Sequence, residues 1–159
     1  MAFLLKQPLT VWRIAHRQYP LWDGMGAERY GGRWNSAGRR AIYTCEHYSL
    51  SILEVLANLG SGSIPSVFVR GALMLPTGCT AERVDTARVK AWDHPTDHRS
   101  ARAFGDAWLQ ERRSLLLFVP SVVVEGIEWN VVLNPLHAEF AALALPSPEA
   151  IRWDGRLLR

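Results

Sequence analysis

Cysteine is scarce in this sequence, which contains only Cys45 and Cys79. Their spacing fits neither a zinc site nor a redox motif, so we expect both to be reduced thiols. Long apolar runs are missing as well, since no stretch approaches the roughly 18 to 20 apolar residues of a membrane span. The opening residues MAFLLKQPLTVW contain only a brief apolar patch, unlike a secretory signal. We therefore expect a cytoplasmic protein with no membrane partner.

The motifs of several common enzyme classes are missing too. The chain has no GxSxG elbow, no Walker loop and no GxGxxG after a predicted strand. Its histidines do not form an HExxH or Cys/His pattern, so we expect no metal site. These absences exclude the most common hydrolase and nucleotide-fold interpretations.

Charge of one sign is also limited. The formal net charge is +3, and the basic residues are spread along the chain rather than gathered in one run. This distribution is typical of ordinary solvated surface charge, and we expect no direct contact with nucleic acid. The sequence pI near 9.2 nevertheless leaves a non-enzymatic nucleic-acid-binding module open as an alternative.

A chain of 159 residues is long enough to enclose one core, so we expect a single domain over residues 1–159. Apolar residues at helical spacing predict two helices, at 47–59 and 100–112. Runs rich in β-branched and aromatic residues predict strands at 10–15, 41–45, 66–75, 115–119, 122–124 and 131–133, with a further edge strand at 151–158. This mixture predicts an α+β fold.

The segment between the first two predicted strands, residues 16–40, is dense in Gly, Tyr, Trp and Arg. We interpret it as a long loop with some strand character. Such a loop is uncommon in a small domain unless it has a function, which favours a binding site here. Polar residues on or beside the predicted strands and helices are candidates for that site: Arg13, Arg33, Asn35, Tyr43, Glu54, Ser121, Asn130 and Asn134. Each one taken singly also has a purely structural interpretation.

Several short blocks in this order resemble the RES domain family: YGGRWN at 30–35, AIY at 41–43, SLSILE at 49–54, GDAWL at 105–109, VPS at 119–121 and NPLH at 134–137. The family is named for an arginine, a glutamate and a serine, which match Arg13, Glu54 and Ser121. The resemblance extends from Trp12 to Phe140. It implies a fold like that of ADP-ribosyltransferase toxins, with mixed or antiparallel sheets and a few flanking helices.

The resemblance also implies an activity and a partner. RES domains are toxins of toxin-antitoxin pairs, and their substrate is NAD+. Some members cleave NAD+, with phosphate as a possible co-substrate, and others transfer ADP-ribose to a protein. We expect no other cofactor. The implied partner is an antitoxin with a helix-turn-helix domain.

Physical reasoning assigns a role to each matched residue. Cleavage of the nicotinamide–ribose bond develops positive charge on the ribose, which the carboxylate of Glu54 would stabilise. Guanidinium groups suit the phosphates of NAD+, so Arg13 and Arg33 are the expected donors. The family resemblance implies that Tyr43, with Tyr30 nearby, stacks on the nicotinamide. Ser121 is expected to hydrogen-bond the ribose or the carboxamide or to position an acceptor, with assistance from Asn35. Trp34 and Trp108 are expected in the core.

Overall fold

The computed structural model describes residues 1–59 and 66–158. One eight-stranded sheet runs through this part of the chain in the order β1-β5-β6-β7-β3-β2-β4-β8. All neighbouring strands are antiparallel except β5 and β6. The strands are β1 Ala2–Leu4, β2 Leu9–His16, β3 Ile42–Cys45, β4 Phe68–Leu75, β5 Thr80–Arg83, β6 Leu116–Pro120, β7 Trp129–Leu133 and β8 Glu149–Ala150.

In the same part of the chain, three α-helices accompany the sheet: α1 Met25–Tyr30, α2 Tyr48–Asn58 and α3 Arg99–Glu111. The predicted α+β fold with a mostly antiparallel sheet and a few flanking helices is confirmed. Both cysteines are buried free thiols, as predicted. Within residues 1–59 and 66–158, none of the helices combines the length and the apolar character that a membrane crossing requires.

The central strands are apolar on both faces, because each face carries its own core. In β6, Leu116 and Phe118 belong to one cluster, which includes Trp22 and is covered by Phe140 and Leu143. The alternate residues of the strand belong to a second cluster under α3, built around Trp34 and Trp108. The period of two along a strand produces this division. Trp34 and Trp108 are 3% and 0% exposed, so their predicted place in the core is confirmed.

The glycine of the GDAWL block allows α3 to approach the loop after α1 very closely. A Cβ atom added at Gly105 would lie only 1.8 Å from the backbone oxygen of Trp34. The next residue, Asp106, accepts a hydrogen bond from the backbone N–H of Ser36 at 2.8 Å. Because of these contacts, α3 holds the glycine-rich loop in place beside the sheet.

Three predictions of secondary structure were wrong in part. Val122–Val124 is a turn, not a strand, because β6 must reverse into the antiparallel β7. The N–H of Gly126 bonds to the oxygen of Ser121 at 2.7 Å, and Glu125 and Gly126 both have positive φ. The predicted loop 16–40 contains α1. An edge strand was predicted at 151–158, but the last edge strand is β8 at Glu149–Ala150. Residues Gly155–Leu158 form a 3₁₀ turn.

Candidate active site

A cavity of about 780 Å³ lies between the sheet, α2, the start of α3 and the loop that follows α1. This volume is within the range of small-molecule sites. Five of the predicted site residues line it: Arg13, Tyr30, Arg33, Tyr43 and Glu54. Two others, Asn35 and Ser121, are fully buried behind its wall. The structure therefore brings the predicted residues to one place, although their roles remain predictions.

Glu54 is fixed in the cavity wall by two side chains from distant parts of the chain. Its Oε1 accepts a hydrogen bond from the hydroxyl of Ser121 at 2.7 Å and from Nδ2 of Asn130 at 2.6 Å. Glu54 lies in helix α2, Ser121 is the first residue after β6, and Asn130 lies in β7. Among the hydrogen bonds of the described residues, none involves Oε2 of Glu54. One carboxylate oxygen is therefore anchored and the other is available to a ligand.

Arg13 enters the cavity wall from β2, where it is held by backbone oxygens. Its Nε donates to the oxygen of Leu21 at 2.7 Å, and its Nη1 donates to the oxygen of Tyr43 at 2.9 Å. Burial lowers the pKa of Arg13 from 12.5 to about 10, and the charge of Asp23 opposes part of this shift. Even at this value the guanidinium is cationic at neutral pH. Arg13 thus joins the segment before α1 to β3, in addition to lining the cavity.

Tyr43 and Asn35 form a buried pair that shapes the glycine-rich loop. The Tyr43 hydroxyl donates to Oδ1 of Asn35 at 2.7 Å and accepts from the backbone N–H of Trp34 at 3.0 Å. Burial raises the pKa of Tyr43, so this hydroxyl stays protonated. Nδ2 of Asn35 donates to the oxygens of Ala27 and Arg39 at 2.9 and 3.0 Å. Sequence reasoning predicted a ligand contact for Asn35, whereas the structure makes it a brace beneath the loop.

The hydrogen-bonded pair of Tyr43 and Asn35 leaves no room for a side chain at position 32, which is glycine. A Cβ atom at this position would lie 2.6 Å from the Tyr43 hydroxyl oxygen and 2.9 Å from Oδ1 of Asn35. Real Cβ atoms do not approach polar atoms so closely, so a side chain at Gly32 would break the hydrogen bond or move the loop. The second glycine of YGGRWN therefore serves close packing and not only chain flexibility.

Arg33 and Tyr30 also line the cavity. Nη1 of Arg33 donates to the backbone oxygens of Trp92 and His94 at 2.9 and 2.8 Å. Burial lowers the pKa of Arg33. Tyr30 is 66% exposed, and the guanidinium of Arg29 lies 5.4 Å from its ring centre. An exposed aromatic ring at the cavity mouth is available for stacking on a planar group.

The cavity lining also includes His98 and Arg102, which were not predicted, and Asn130, which was a candidate without an assigned role. The sequence signal for Asn130 is a polar side chain within the otherwise apolar strand β7. No local pattern indicated His98 or Arg102, which reach the cavity because α3 packs on the glycine-rich loop. The remaining candidate, Asn134, is fully buried and donates to the oxygen of Leu109 at 3.1 Å, so it braces the end of β7.

The sequence profile of the RES domain family matches residues 10–154, so this chain belongs to that family. It is 35% identical over 158 residues to a protein of Yersinia enterocolitica named Toxin Res, covering 94% of this chain and 99% of that protein. It is 32% identical over 157 residues to a Sphingobium protein named Prs ADP-ribosylating toxin, covering 94% of this chain and 97% of the relative.

A solved structure shares the fold. The crystal structure of the Mycobacterium tuberculosis MbcT-MbcA toxin-antitoxin complex contains a chain that superposes with a TM-score of 0.71. The match covers 93% of this chain and 86% of the other, at 18% identity. An identity this low shows a common fold and nothing more about activity.

Proposed function

We propose that this protein is the toxin of a toxin-antitoxin pair and that it cleaves the nicotinamide–ribose bond of NAD+. The observation that carries the proposal is the carboxylate of Glu54, which lies in a cavity of about 780 Å³ with one oxygen fixed by Ser121 and Asn130. The names of the Yersinia and Sphingobium relatives support the toxin role.

The proposed reaction starts with heterolysis of the bond between the ribose C1′ and the nicotinamide nitrogen. The bonding electron pair leaves with nicotinamide, which is cationic in NAD+ and neutral once released, so no strong general acid is needed. The ribose becomes oxocarbenium-like, and a carboxylate fixed beside it stabilises the developing positive charge. In hydrolysis, a water oxygen then bonds to C1′ and loses a proton to solvent. In phosphorolysis, an anionic phosphate oxygen bonds to C1′ and has no proton to lose.

Fixed donors are important to this proposal because they orient Glu54 before the substrate arrives. A charge-assisted hydrogen bond is shorter and stronger than a neutral one. The contacts to Oε1 of Glu54 are short, at 2.7 and 2.6 Å, as expected for hydrogen bonds to a carboxylate. Two such bonds to one oxygen restrict rotation of the carboxylate. Preorganisation of this kind lowers the barrier without any rearrangement during the reaction.

Transfer of ADP-ribose to a protein is the alternative outcome of the same bond cleavage. The Sphingobium relative is named an ADP-ribosylating toxin, and this name supports a protein as the alternative acceptor. An antitoxin partner is proposed on the basis of the MbcT-MbcA complex, whose chain shares this fold. We expect the antitoxin of this protein to carry a helix-turn-helix domain.

Chromatography of NAD+ after incubation with the purified protein tests the proposal. Phosphorolysis releases nicotinamide and ADP-ribose 1″-phosphate only when phosphate is present, and hydrolysis releases nicotinamide and ADP-ribose without it. Protein modification is detected by mass spectrometry of a lysate as an added ADP-ribose group, with little free product. A folded protein that releases no nicotinamide under any of these conditions contradicts the proposal.

A further inference from the structure

Three basic side chains from different parts of the chain meet on one side of the cavity. Arg33 follows the two glycines of the loop, His98 immediately precedes α3, and Arg102 lies in the first turn of that helix. All three line the cavity that contains Glu54. None of them is needed by the bond cleavage described above, which depends on the carboxylate.

Backbone oxygens hold both arginines in place and leave their charges without a carboxylate partner. Arg33 uses Nη1 for Trp92 and His94, and Arg102 uses Nε for the oxygen of Gly32 at 2.8 Å. The ion pairs formed within residues 1–59 and 66–158 include neither arginine. Each guanidinium has five N–H donors, so each retains donors for a ligand.

The three groups also repel one another. Burial lowers the pKa of His98, and the charges of Arg33 and Arg102 lower it further. The Pro95 carbonyl and the Asp97 carboxylate act in the opposite direction. The charges of Asp93 and Glu54 favour the guanidinium of Arg33 without forming an ion pair with it, so they offset only part of the positive potential that the three groups create in the cavity. An anion bound between them would relieve this repulsion.

We propose that Arg102, together with His98 and Arg33, forms a subsite of the cavity that binds a phosphate-bearing anion. The proposal deepens the proposed function and rests on it for the identity of the natural ligand. Two sources of the anion fit the chemistry: the diphosphate of NAD+ itself, or inorganic phosphate as the acceptor. Arg102 is then a binding residue for the reaction, and Arg13, which is committed to Leu21 and Tyr43, mainly supports the fold.

Calorimetry with inorganic pyrophosphate tests the subsite without requiring turnover. Arg102→Gln should weaken binding by roughly 10- to 100-fold, because it removes a hydrogen bond between charged groups. Arg99→Gln is the matched control: it removes the same charge from the same helix, but Arg99 pairs with Asp97 and its side chain is 90% exposed. Equal affinity of the two variants, or no binding by the wild-type protein, overturns the proposal.

A second variant is needed because Arg102→Gln also removes the hydrogen bond from Arg102 to the backbone oxygen of Gly32, which could alter the loop. His98→Gln leaves that hydrogen bond in place. It should weaken pyrophosphate binding more at pH 6 than at pH 8, since a bound anion favours the protonated imidazole that the wild-type protein supplies at low pH. An identical loss at both pH values contradicts a role for His98 in the subsite.

Initial rates of nicotinamide release distinguish the two sources of the anion. If the subsite binds the NAD+ diphosphate, Arg102→Gln raises KM for NAD+ and leaves KM for phosphate unchanged. If the subsite binds inorganic phosphate, Arg102→Gln raises KM for phosphate and leaves KM for NAD+ unchanged. If neither KM increases, the proposal is overturned. If the wild-type protein cleaves no NAD+ but binds pyrophosphate through Arg102, the proposed function fails and the anion subsite stands.

Discussion

Loss of the Ser121 hydroxyl should slow catalysis while leaving substrate binding nearly unchanged. Ser121 is fully buried and does not line the cavity, and its hydroxyl lies 2.7 Å from Oε1 of Glu54. A hydrogen bond to a charged group contributes about 1.5–3 kcal/mol, which corresponds to a decrease in kcat of roughly 10- to 100-fold for Ser121→Ala. KM for NAD+ should change little, because Ser121 itself makes no contact with the cavity.

Steady-state release of nicotinamide, followed by chromatography, measures both constants. Ser114→Ala is a suitable control, since Ser114 is also fully buried and its hydroxyl accepts from Trp108 at 2.8 Å and donates to the oxygen of Leu116 at 2.9 Å. That variant should lower the melting temperature without lowering kcat. Wild-type kcat in a folded Ser121→Ala protein would refute the role of Ser121 in orienting Glu54.

The double variant Ser121→Ala/Asn130→Ala sharpens this test. Both side chains donate to the same carboxylate oxygen, so the two losses should not be additive. Once either donor is absent the carboxylate can rotate, and removal of the second should cost less than it does alone. Strictly additive losses in kcat would indicate that the two residues act independently of each other.

Three further predictions follow from the packing and the charges. Arg13→Lys should lower the free energy of unfolding by about 2–4 kcal/mol in chemical denaturation, because a lysine cannot replace both hydrogen bonds to buried carbonyls. Gly105→Ala should destabilise the protein by about 1–3 kcal/mol or more, whereas Gly155→Ala, which meets no atom within 4 Å, should stay within about 0.5 kcal/mol of wild type. Arg102→Gln should raise the pKa of His98, because a neighbouring positive charge that disfavours the imidazolium is removed; NMR titration of the imidazole resonances tests the sign.

The parts of the fold that the sequence predicted well are those with strong local patterns. Helices α2 and α3 carry apolar residues at helical spacing, and β6 and β7 are runs of apolar residues bounded by polar ones. Strand β5, with the sequence TAER, has no such pattern, and it exists because it pairs with β1 and β6. Local propensity does not contain this tertiary information.

The triple valine at 122–124 shows the opposite error. Its β-branched residues favour a strand, but the antiparallel pairing of Pro120 with Trp129 requires the chain to reverse between them. Ser121 donates its backbone N–H to the oxygen of Glu128 at 3.0 Å and closes this connection. The demands of the sheet therefore override the preference of the valines.

The candidate site divides in a similar way. Glu54 and Ser121 were predicted through the family resemblance, and the structure brings them into contact although 67 positions separate them. Asn35 was expected to contact a ligand, yet its amide is used entirely for internal hydrogen bonds. Arg102 was missed because its place in the cavity depends on how closely α3 approaches the loop at Gly105, a tertiary contact with no local signal.

The most direct test of the central claim compares nicotinamide release from NAD+ by the wild-type protein and by Glu54→Gln. The amide has nearly the same size but no charge, so the rate should fall by a factor on the order of 10²–10³ while the melting temperature stays close to that of wild type. Glu111→Gln makes the same change at an exposed glutamate that pairs with Arg113, and it should retain full activity. A folded Glu54→Gln protein with wild-type activity would contradict the assignment of Glu54 as the catalytic carboxylate.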